Sequence, residues 1–101
     1  KADRFQEGLL GLADAADPPL RWLCVTGDAI GDVDYSASDT IRTVHAELAD
    51  RGVTLVLSNL IPEVRAELDR DGLTDLLGAD HVFDWIDEAL AAYTSLTTPP
   101  G

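Results

Sequence analysis

The sequence predicts an α/β fold, in which helices pack on a small, mostly parallel sheet. This prediction depends on two continuous apolar segments, Leu20–Thr26 and Val53–Leu57, and on the amphipathic helix between them. A strand, a helix and a second strand in this order form a βαβ unit with parallel strands. Apolar runs without alternation are typical of strands that are buried on both faces.

The first predicted element is a helix over residues 2–16, because apolar residues recur there at helical spacing. Pro18 and Pro19 end it, since proline lacks an N–H group and disfavours a helical conformation in the residue before it. The strand Leu20–Thr26 follows this break.

A long helix is predicted to begin near Ala37, after an aspartate-rich loop. Gly52 is placed to end it, because glycine readily takes the left-handed conformation that closes a helix. The strand Val53–Leu57 comes directly afterwards. The residues expected on the buried face of this helix are Ala37, Ile41, Val44 and Leu48.

Three shorter elements are predicted after the second strand. Pro62 suits the first turn of a further helix, which residues 71–72 (Asp-Gly) end. The leucines of Leu73–Leu77 indicate another short turn, and His81–Phe83 is predicted to be a short third strand.

The final helix is predicted to begin with a capping box made by Asp84 and Asp87. We expect one domain over residues 1–93 and a flexible, Thr/Pro-rich tail over residues 94–101. The residues expected on the inner face of this helix are Ile86, Ala89, Leu90 and Tyr93.

The composition restricts the class of protein. With 101 residues, 46% of them apolar and 26% charged, the chain has the length and balance of one globular domain. Its formal net charge of −12 excludes non-specific nucleic-acid binding, because phosphates must be met by Lys and Arg.

Cys24 is the single cysteine, so an intrachain disulfide is excluded and we expect a reducing compartment. No apolar run approaches the roughly 18 residues that a membrane-spanning helix needs, so we expect no span. No signal peptide is recognisable, and a chain that begins with Lys1 rather than Met is expected to be part of a longer protein.

Polar residues follow both long strands and are expected at one edge of the sheet. Open α/β sheets usually bind ligands at the carboxyl ends of their parallel strands, where helices also present free N–H groups. The loop from Asp28 to Ser38 and the segment Ser58–Leu60 therefore form the candidate functional edge. Its predicted nucleotide- or partner-binding residues are Asp34, Tyr35, Ser36, Ala37, Ser38, Asn59 and Leu60.

Two residues of this edge each have two interpretations. Ser36 and Asp39 form a capping box for the long helix, which would satisfy N–H groups of its first turn. The alternative is that Ser36 accepts a phosphoryl group or contacts a ligand. Tyr35 either stacks on a nucleotide base or a partner, or packs over the edge of the sheet.

Catalytic and metal-binding signatures are missing from the sequence. There is no Gly-x-Gly-x-x-Gly, no Walker lysine and no Gly-x-Ser-x-Gly. His45 and His81 have no Cys or Glu partner at ligand spacing, so we expect no metal and no catalytic residue. Trp22 and Trp85 are interpreted as core or packing residues.

The segment Asp34–Ala37 (Asp-Tyr-Ser-Ala) resembles the Asp-Ser-Ser/Thr-Gly signature of STAS domains. Segments 48–57 and 80–90 also look like this family, and so does the order of the elements. The first-helix entry Ala2–Phe5 and the ending Asp87–Leu90 are most similar to the cytoplasmic STAS domains of SulP-type anion permeases, including bacterial sulfate transporters.

The resemblance implies a regulatory and interaction domain on the cytoplasmic face of the plasma membrane, within an integral membrane protein. Its implied partners are the transmembrane domain of its own transporter, a second copy in a homodimer and a regulatory protein. No cofactor is expected, but the resemblance implies weak binding of GTP, GDP or ATP at the candidate edge.

This chain differs from the family in two respects. In soluble anti-sigma-factor antagonists the phosphorylated serine follows the aspartate, whereas Tyr35 stands here and Ser36 comes one place later. A soluble antagonist that acts as a protein-binding switch is therefore the alternative function. The family also begins with one or two strands before the first helix, so we expect part of the sheet to be missing and an apolar edge to be left.

Overall fold

The computed structural model of the protein describes residues 2–16, 20–30 and 37–97. Among these residues the sheet has three parallel strands in the order β1-β2-β3. The predicted βαβ unit is confirmed, because the first two strands pair in parallel. The strands are β1 (Trp22–Thr26), β2 (Thr54–Ser58) and β3 (Val82–Phe83).

The helices agree closely with the sequence prediction over most of the chain. The described helices are α1 (Ala2–Ala15), α2 (Gly27–Ile30), α3 (Ala37–Asp50), α4 (Pro62–Arg70), α5 (Leu73–Leu77) and α6 (Ile86–Thr97). A 3₁₀ turn, Ala79–His81, precedes β3. This turn and the short α2 were not predicted, since each is too brief to show a periodic pattern.

The core lies between α3 and one face of the sheet. The predicted inner face of α3 is confirmed, because Ile41, Val44 and Leu48 have no exposed surface. They belong to one apolar cluster with Leu55 and Leu57 of β2. Helix α6 contacts all three strands and borders the side chains of Trp22 and Cys24. Since side chains alternate along a strand, α3 and α6 cover opposite faces of the sheet.

The end of α3 is fixed by the predicted glycine. Gly52 has a φ of +73°, and its N–H donates to the carbonyl oxygen of Ala49 at 3.0 Å. The N–H of Val53 donates to the carbonyl oxygen of Leu48 at 2.9 Å. These two bonds form a Schellman motif, which turns the chain directly into β2.

Helix α6 differs from its prediction at both ends. Its cap is formed by Trp85, whose N–H donates to Glu88 Oε1 at 3.1 Å, so the predicted cap by Asp84 and Asp87 was wrong by one residue. The helix continues to Thr97, four residues beyond the predicted domain boundary at Tyr93.

The predicted inner face of α6 is only partly correct. Ala89 is buried, but Ile86 and Leu90 are 39% and 60% exposed. Helical spacing places these residues on one side of the helix, yet the described sheet is too narrow to cover that whole side. Residues 98–101, predicted as part of the tail, lie outside the described residues.

Candidate functional site

A cavity of about 450 Å³ lies at the carboxyl ends of the strands. We call it the carboxyl-end cavity, and it is open to solvent at the edge where ligands are usually bound in open α/β sheets. The residues that line the cavity lie at the end of a strand or shortly after it, and all three strands contribute to the lining. The cavity is lined by Thr26, Asp28, Asn59, Leu60, Asp84 and Trp85.

Two backbone segments that line or adjoin this cavity meet closely. A Cβ atom placed on Gly27 would lie 2.1 Å from the carbonyl oxygen of Asn59, so the approach requires glycine. Asn59 itself has a φ of +57°, in the left-handed region that asparagine tolerates better than most residues. This approach fixes the position of Asn59 relative to Asp28 on the rim of the cavity.

The rim combines negative charge with an aromatic ring. Asp28 is exposed, and the Asp84 side chain is 79% exposed. Trp85 was interpreted as a core or packing residue, but 65% of its surface is exposed, so it is not part of the core. Arg65 Nη1 lies 3.8 Å from Asp84 Oδ1, a long and solvent-exposed ion pair that offsets little of the negative charge.

The N-terminus of α3 is bonded to a carboxylate of this chain. The N–H of Ser38 donates to Glu67 Oε2 of α4 at 3.0 Å. The negative charge of Glu67 suits the positive end of the helix dipole, and it takes the kind of position that a bound phosphate would take. Ser38 is 1% exposed, and its Oγ has no hydrogen-bond partner within the described part of the chain.

The predicted edge residues lie in different surroundings. Asn59 and Leu60 line the carboxyl-end cavity. Ala37 and Ser38 are buried at the start of α3, with 6% and 1% of their surfaces exposed. Asp34, Tyr35 and Ser36 lie outside the described residues, and the two interpretations of Tyr35 and of Ser36 stay predictions.

Asp84 and Trp85 were not among the site residues predicted from the sequence. Their position in the sequence could have identified them, since they directly follow His81–Phe83, which was predicted to be a strand. Residues that directly follow parallel strands share one edge of a sheet. Applied to the third strand, this rule would have placed Asp84 and Trp85 beside Asn59.

The interpretation of Trp22 as a packing residue is confirmed. Its ring lies 5.4 Å from those of His81 and Tyr93 and 6.4 Å from that of Phe83, measured between centroids. His81 Nδ1 lies 2.7 Å from the carbonyl oxygen of Leu77, which fixes this ring as well.

An apolar groove of about 250 Å³ lies beside these aromatic rings. It is lined by Leu20, Trp22, Cys24, Ile86, Ala89, Leu90 and Tyr93.

The described residues have neither a metal-binding cluster nor a helix suited to spanning a membrane. No three His, Cys, Asp or Glu side chains among them are grouped so as to hold a metal ion. None of the helices in this part of the chain is both long and apolar enough to cross a membrane.

The sequence profile of the STAS domain matches residues 1–89 of this chain. The chain belongs to the STAS family. The α/β fold predicted from the sequence is therefore confirmed, with helices on both faces of a three-stranded parallel sheet.

The curated relatives of this STAS domain are much longer proteins. A probable sulfate transporter of Mycobacterium tuberculosis is 25% identical over 92 residues, which are 91% of this chain and 16% of the transporter. High affinity sulfate transporter 1 of Stylosanthes hamata is 30% identical over 76 residues, which are 75% of this chain and 11% of the transporter. The chain thus spans less than a fifth of the length of either relative.

Solved structures have the same fold. A sulfate transporter family protein from Wolinella succinogenes has a TM-score of 0.74 and 26% identity, with 96% of this chain and 77% of that chain covered. The STAS domain of a SulP transporter from Vibrio cholerae has a TM-score of 0.71 over 94% of this chain and 72% of that one. At 20% identity, this second likeness concerns the fold alone.

Proposed function

We propose that this STAS domain is a non-catalytic interaction and regulatory domain of a SulP-type sulfate or anion transporter, on the cytoplasmic face of the plasma membrane. The observation that carries the proposal is the match of 91% of this chain to a small part of a probable sulfate transporter. The same segment in that relative belongs to a transporter, which supports a transporter-associated role here. Selection of the anion would then depend on other parts of the transporter.

The partner in this proposal is the membrane-spanning part of the same transporter. We propose two further partners for the domain, a second copy of the same chain in a homodimer and a soluble regulatory protein. The carboxyl-end cavity supports a binding role, because it combines an exposed Trp85 with the polar groups of Asp28, Asn59 and Asp84. Exposed aromatic residues beside polar groups are typical of interaction sites.

The relatives also support a domain without catalysis, since their names describe transporters rather than enzymes. An enzymatic role would require turnover of an ester or phosphate substrate that Ser36→Ala abolishes. We expect no such turnover.

Weak binding of GTP, GDP or ATP at the candidate edge stays a prediction. The carboxylates of Asp28 and Asp84 oppose a phosphate at the carboxyl-end cavity, so we expect low affinity. In an NMR titration with ATP or GTP, amide shifts should be confined to residues 28–38 and 58–60. Shifts that are absent or scattered over the chain would contradict nucleotide binding at this edge.

The proposed function is tested by fractionating source cells and detecting the domain with an antibody. A membrane-bound species several times larger than 10.8 kDa is expected for a transporter. A small soluble species would overturn the proposal and favour the alternative, an anti-sigma-factor antagonist. In that case Ser36 would be the residue to test for phosphorylation.

A further inference from the structure

We propose that the carboxyl-end cavity binds an arginine- or lysine-bearing cytoplasmic loop of the transporter's own membrane part. This inference rests on the proposed function and names the partner and the chemistry of recognition.

The cavity has the groups that a long cationic side chain needs. Trp85 offers an aromatic face, 65% exposed, on which a guanidinium or ammonium group stacks favourably. Asp28 and Asp84 line the same cavity and provide carboxylates for charge-assisted hydrogen bonds to a cation. Leu60 provides apolar surface for the methylene stem of the side chain.

The cations of this chain pair only weakly with the carboxylates of the cavity. Within the described residues, the one ion pair to a carboxylate of the cavity joins Arg65 and Asp84 at 3.8 Å. The Arg65 Nε is directed to Asp69 Oδ1, 3.4 Å away, so this side chain is shared between two carboxylates. Asp28 takes part in no ion pair within the described part of the chain. A cation from outside would therefore find both carboxylates accessible.

The negative charge of the domain favours a basic protein loop over the lipid surface as its partner. The domain carries a formal net charge of −12. Cytoplasmic loops of membrane proteins are enriched in Lys and Arg, whereas the cytoplasmic lipid surface is negative and attracts basic segments. A domain of this charge beside a membrane is thus attracted by the loops and repelled by the lipid.

Photo-crosslinking in the intact transporter tests the identity of the partner. A benzophenone amino acid replaces Trp85, which keeps an aromatic group at the cavity, and crosslinked peptides are sequenced by mass spectrometry. The expected product is a Lys- or Arg-bearing loop of the membrane part. The matched control places the crosslinker at Leu76 of α5, 47% exposed and outside the cavity, and should not give that product. Crosslinks to lipid, to a second copy or to another protein would overturn the inference.

A peptide titration of the 101-residue chain tests the chemistry. The probe is the blocked pentapeptide Ac-Gly-Arg-Leu-Arg-Gly-NH₂, and the same peptide with Glu for Arg is its control. The arginine peptide should shift the indole N–H resonance of Trp85 and leave that of Trp22 unchanged. The glutamate peptide should shift neither. Equal shifts from both peptides, or none from either, would contradict recognition of a cation.

Two double variants separate the cavity from the overall charge. Asp28→Asn with Asp84→Asn should weaken binding of the arginine peptide by about fivefold, a loss expected for two exposed ion pairs. Asp50→Asn with Asp75→Asn removes as much charge from two other exposed positions and should change binding by less than about twofold. Equal losses in both variants would show that only net charge matters and would overturn the cavity as the site.

Failure of this inference can be distinguished from failure of the proposed function. If the domain belongs to a membrane-bound transporter but the cavity variants bind the arginine peptide as tightly as the wild type does, the inference is overturned and the proposed function stands. A small soluble species in the fractionation would overturn the function, and with it the transporter loop as the partner, even if the peptide bound.

Discussion

The carbonyl oxygen of Asn59 occupies the space that a side chain on Gly27 would need, only 2.1 Å from an ideal Cβ position. Gly27 opens α2 directly after β1, and Asn59 follows β2. Thr26 and Ser58, the last residues of the two strands, are paired, so β1 and β2 end side by side at the carboxyl-end cavity. This approach is the structural basis of the candidate site, because it sets the distance between the start of α2 and the segment that follows β2.

Gly27→Ala should destabilise the domain, since the new methyl group would push the backbone of Asn59 away. Overpacking of this kind usually costs about 1–3 kcal/mol. For a domain of this size, each kcal/mol lowers the melting temperature by roughly 4–8 °C. Thermal unfolding followed by circular dichroism measures the change.

Gly8→Ala in α1 is the matched control for this substitution. A Cβ atom on Gly8 would have no atom within 4 Å, and alanine favours the helix by about 0.5–1 kcal/mol. We expect an unchanged or slightly higher melting temperature. Equal effects of the two substitutions would show that the contact between Gly27 and Asn59 is not tight in solution.

A second glycine is required for its backbone conformation rather than for space. Gly52 has a φ of +73°, although a Cβ atom there would contact nothing within 4 Å. Gly52→Ala should therefore destabilise by about 1 kcal/mol through strain alone. Gly52→Asn should lose less, because asparagine tolerates the left-handed conformation. Equal losses for alanine and asparagine in thermal unfolding would contradict this account of the Schellman motif.

The pKa of Asp69 lies below its ordinary value of 3.8, chiefly because Thr74 donates a hydrogen bond to its carboxylate and then because of the charge of Arg65. The ionised form therefore stabilises the fold at pH values above 3.8, and this stabilisation is lost as the pH falls through the lowered pKa. Thr74→Val should raise the pKa of Asp69 towards its ordinary value and weaken the acid dependence of unfolding.

An NMR pH titration of the Asp69 carboxyl carbon measures this pKa directly. Thr43→Val is the control, since the Thr43 hydroxyl donates to the carbonyl oxygen of Asp39 and does not contribute to the lowered pKa of Asp69. The control should leave the pKa of Asp69 unchanged. An unchanged pKa in Thr74→Val would show that the hydroxyl does not donate to this carboxylate in solution.

The sequence predicted the fold well where the residues that share an apolar face of a helix are also the residues that the sheet covers. Apolar spacing identified the face of α3 because the sheet covers that whole face, and Gly52 was found because its role is local. The same spacing failed at Ile86 and Leu90, since periodicity shows which residues share a side of a helix but not whether a partner covers that side. The approach of Gly27 to Asn59 brings together residues far apart in sequence, and no local pattern indicates it.

The candidate site was predicted less completely than the fold. Asn59 and Leu60 were found from their position after a long, strongly apolar strand. Asp84 and Trp85 were missed, because the strand before them has only two residues and the tryptophan was interpreted as a core or packing residue. The bond between Ser38 and Glu67 depends on the packing of α4 against α3, which sequence spacing does not reveal.

This last contact leads to a prediction about the start of α3. Glu67→Ala removes the acceptor of the buried Ser38 N–H and should cost about 1 kcal/mol, as the loss of a helix cap does. Glu67→Gln keeps an acceptor oxygen but no charge, so it should retain most of this stability and lose only the interaction with the helix dipole. Glu63→Ala in the first turn of α4 is the control at an exposed position and should lose less than Glu67→Ala.

Chemical denaturation gives the free energy of unfolding for these variants, and the amide shift of Ser38 reports the bond itself. The expected order of stability is wild type, Glu67→Gln, then Glu67→Ala. If Glu67→Gln were as unstable as Glu67→Ala, the charge rather than the hydrogen bond would hold the start of α3. If both variants were as stable as the wild type with an unchanged Ser38 shift, Glu67 would not cap this helix in solution.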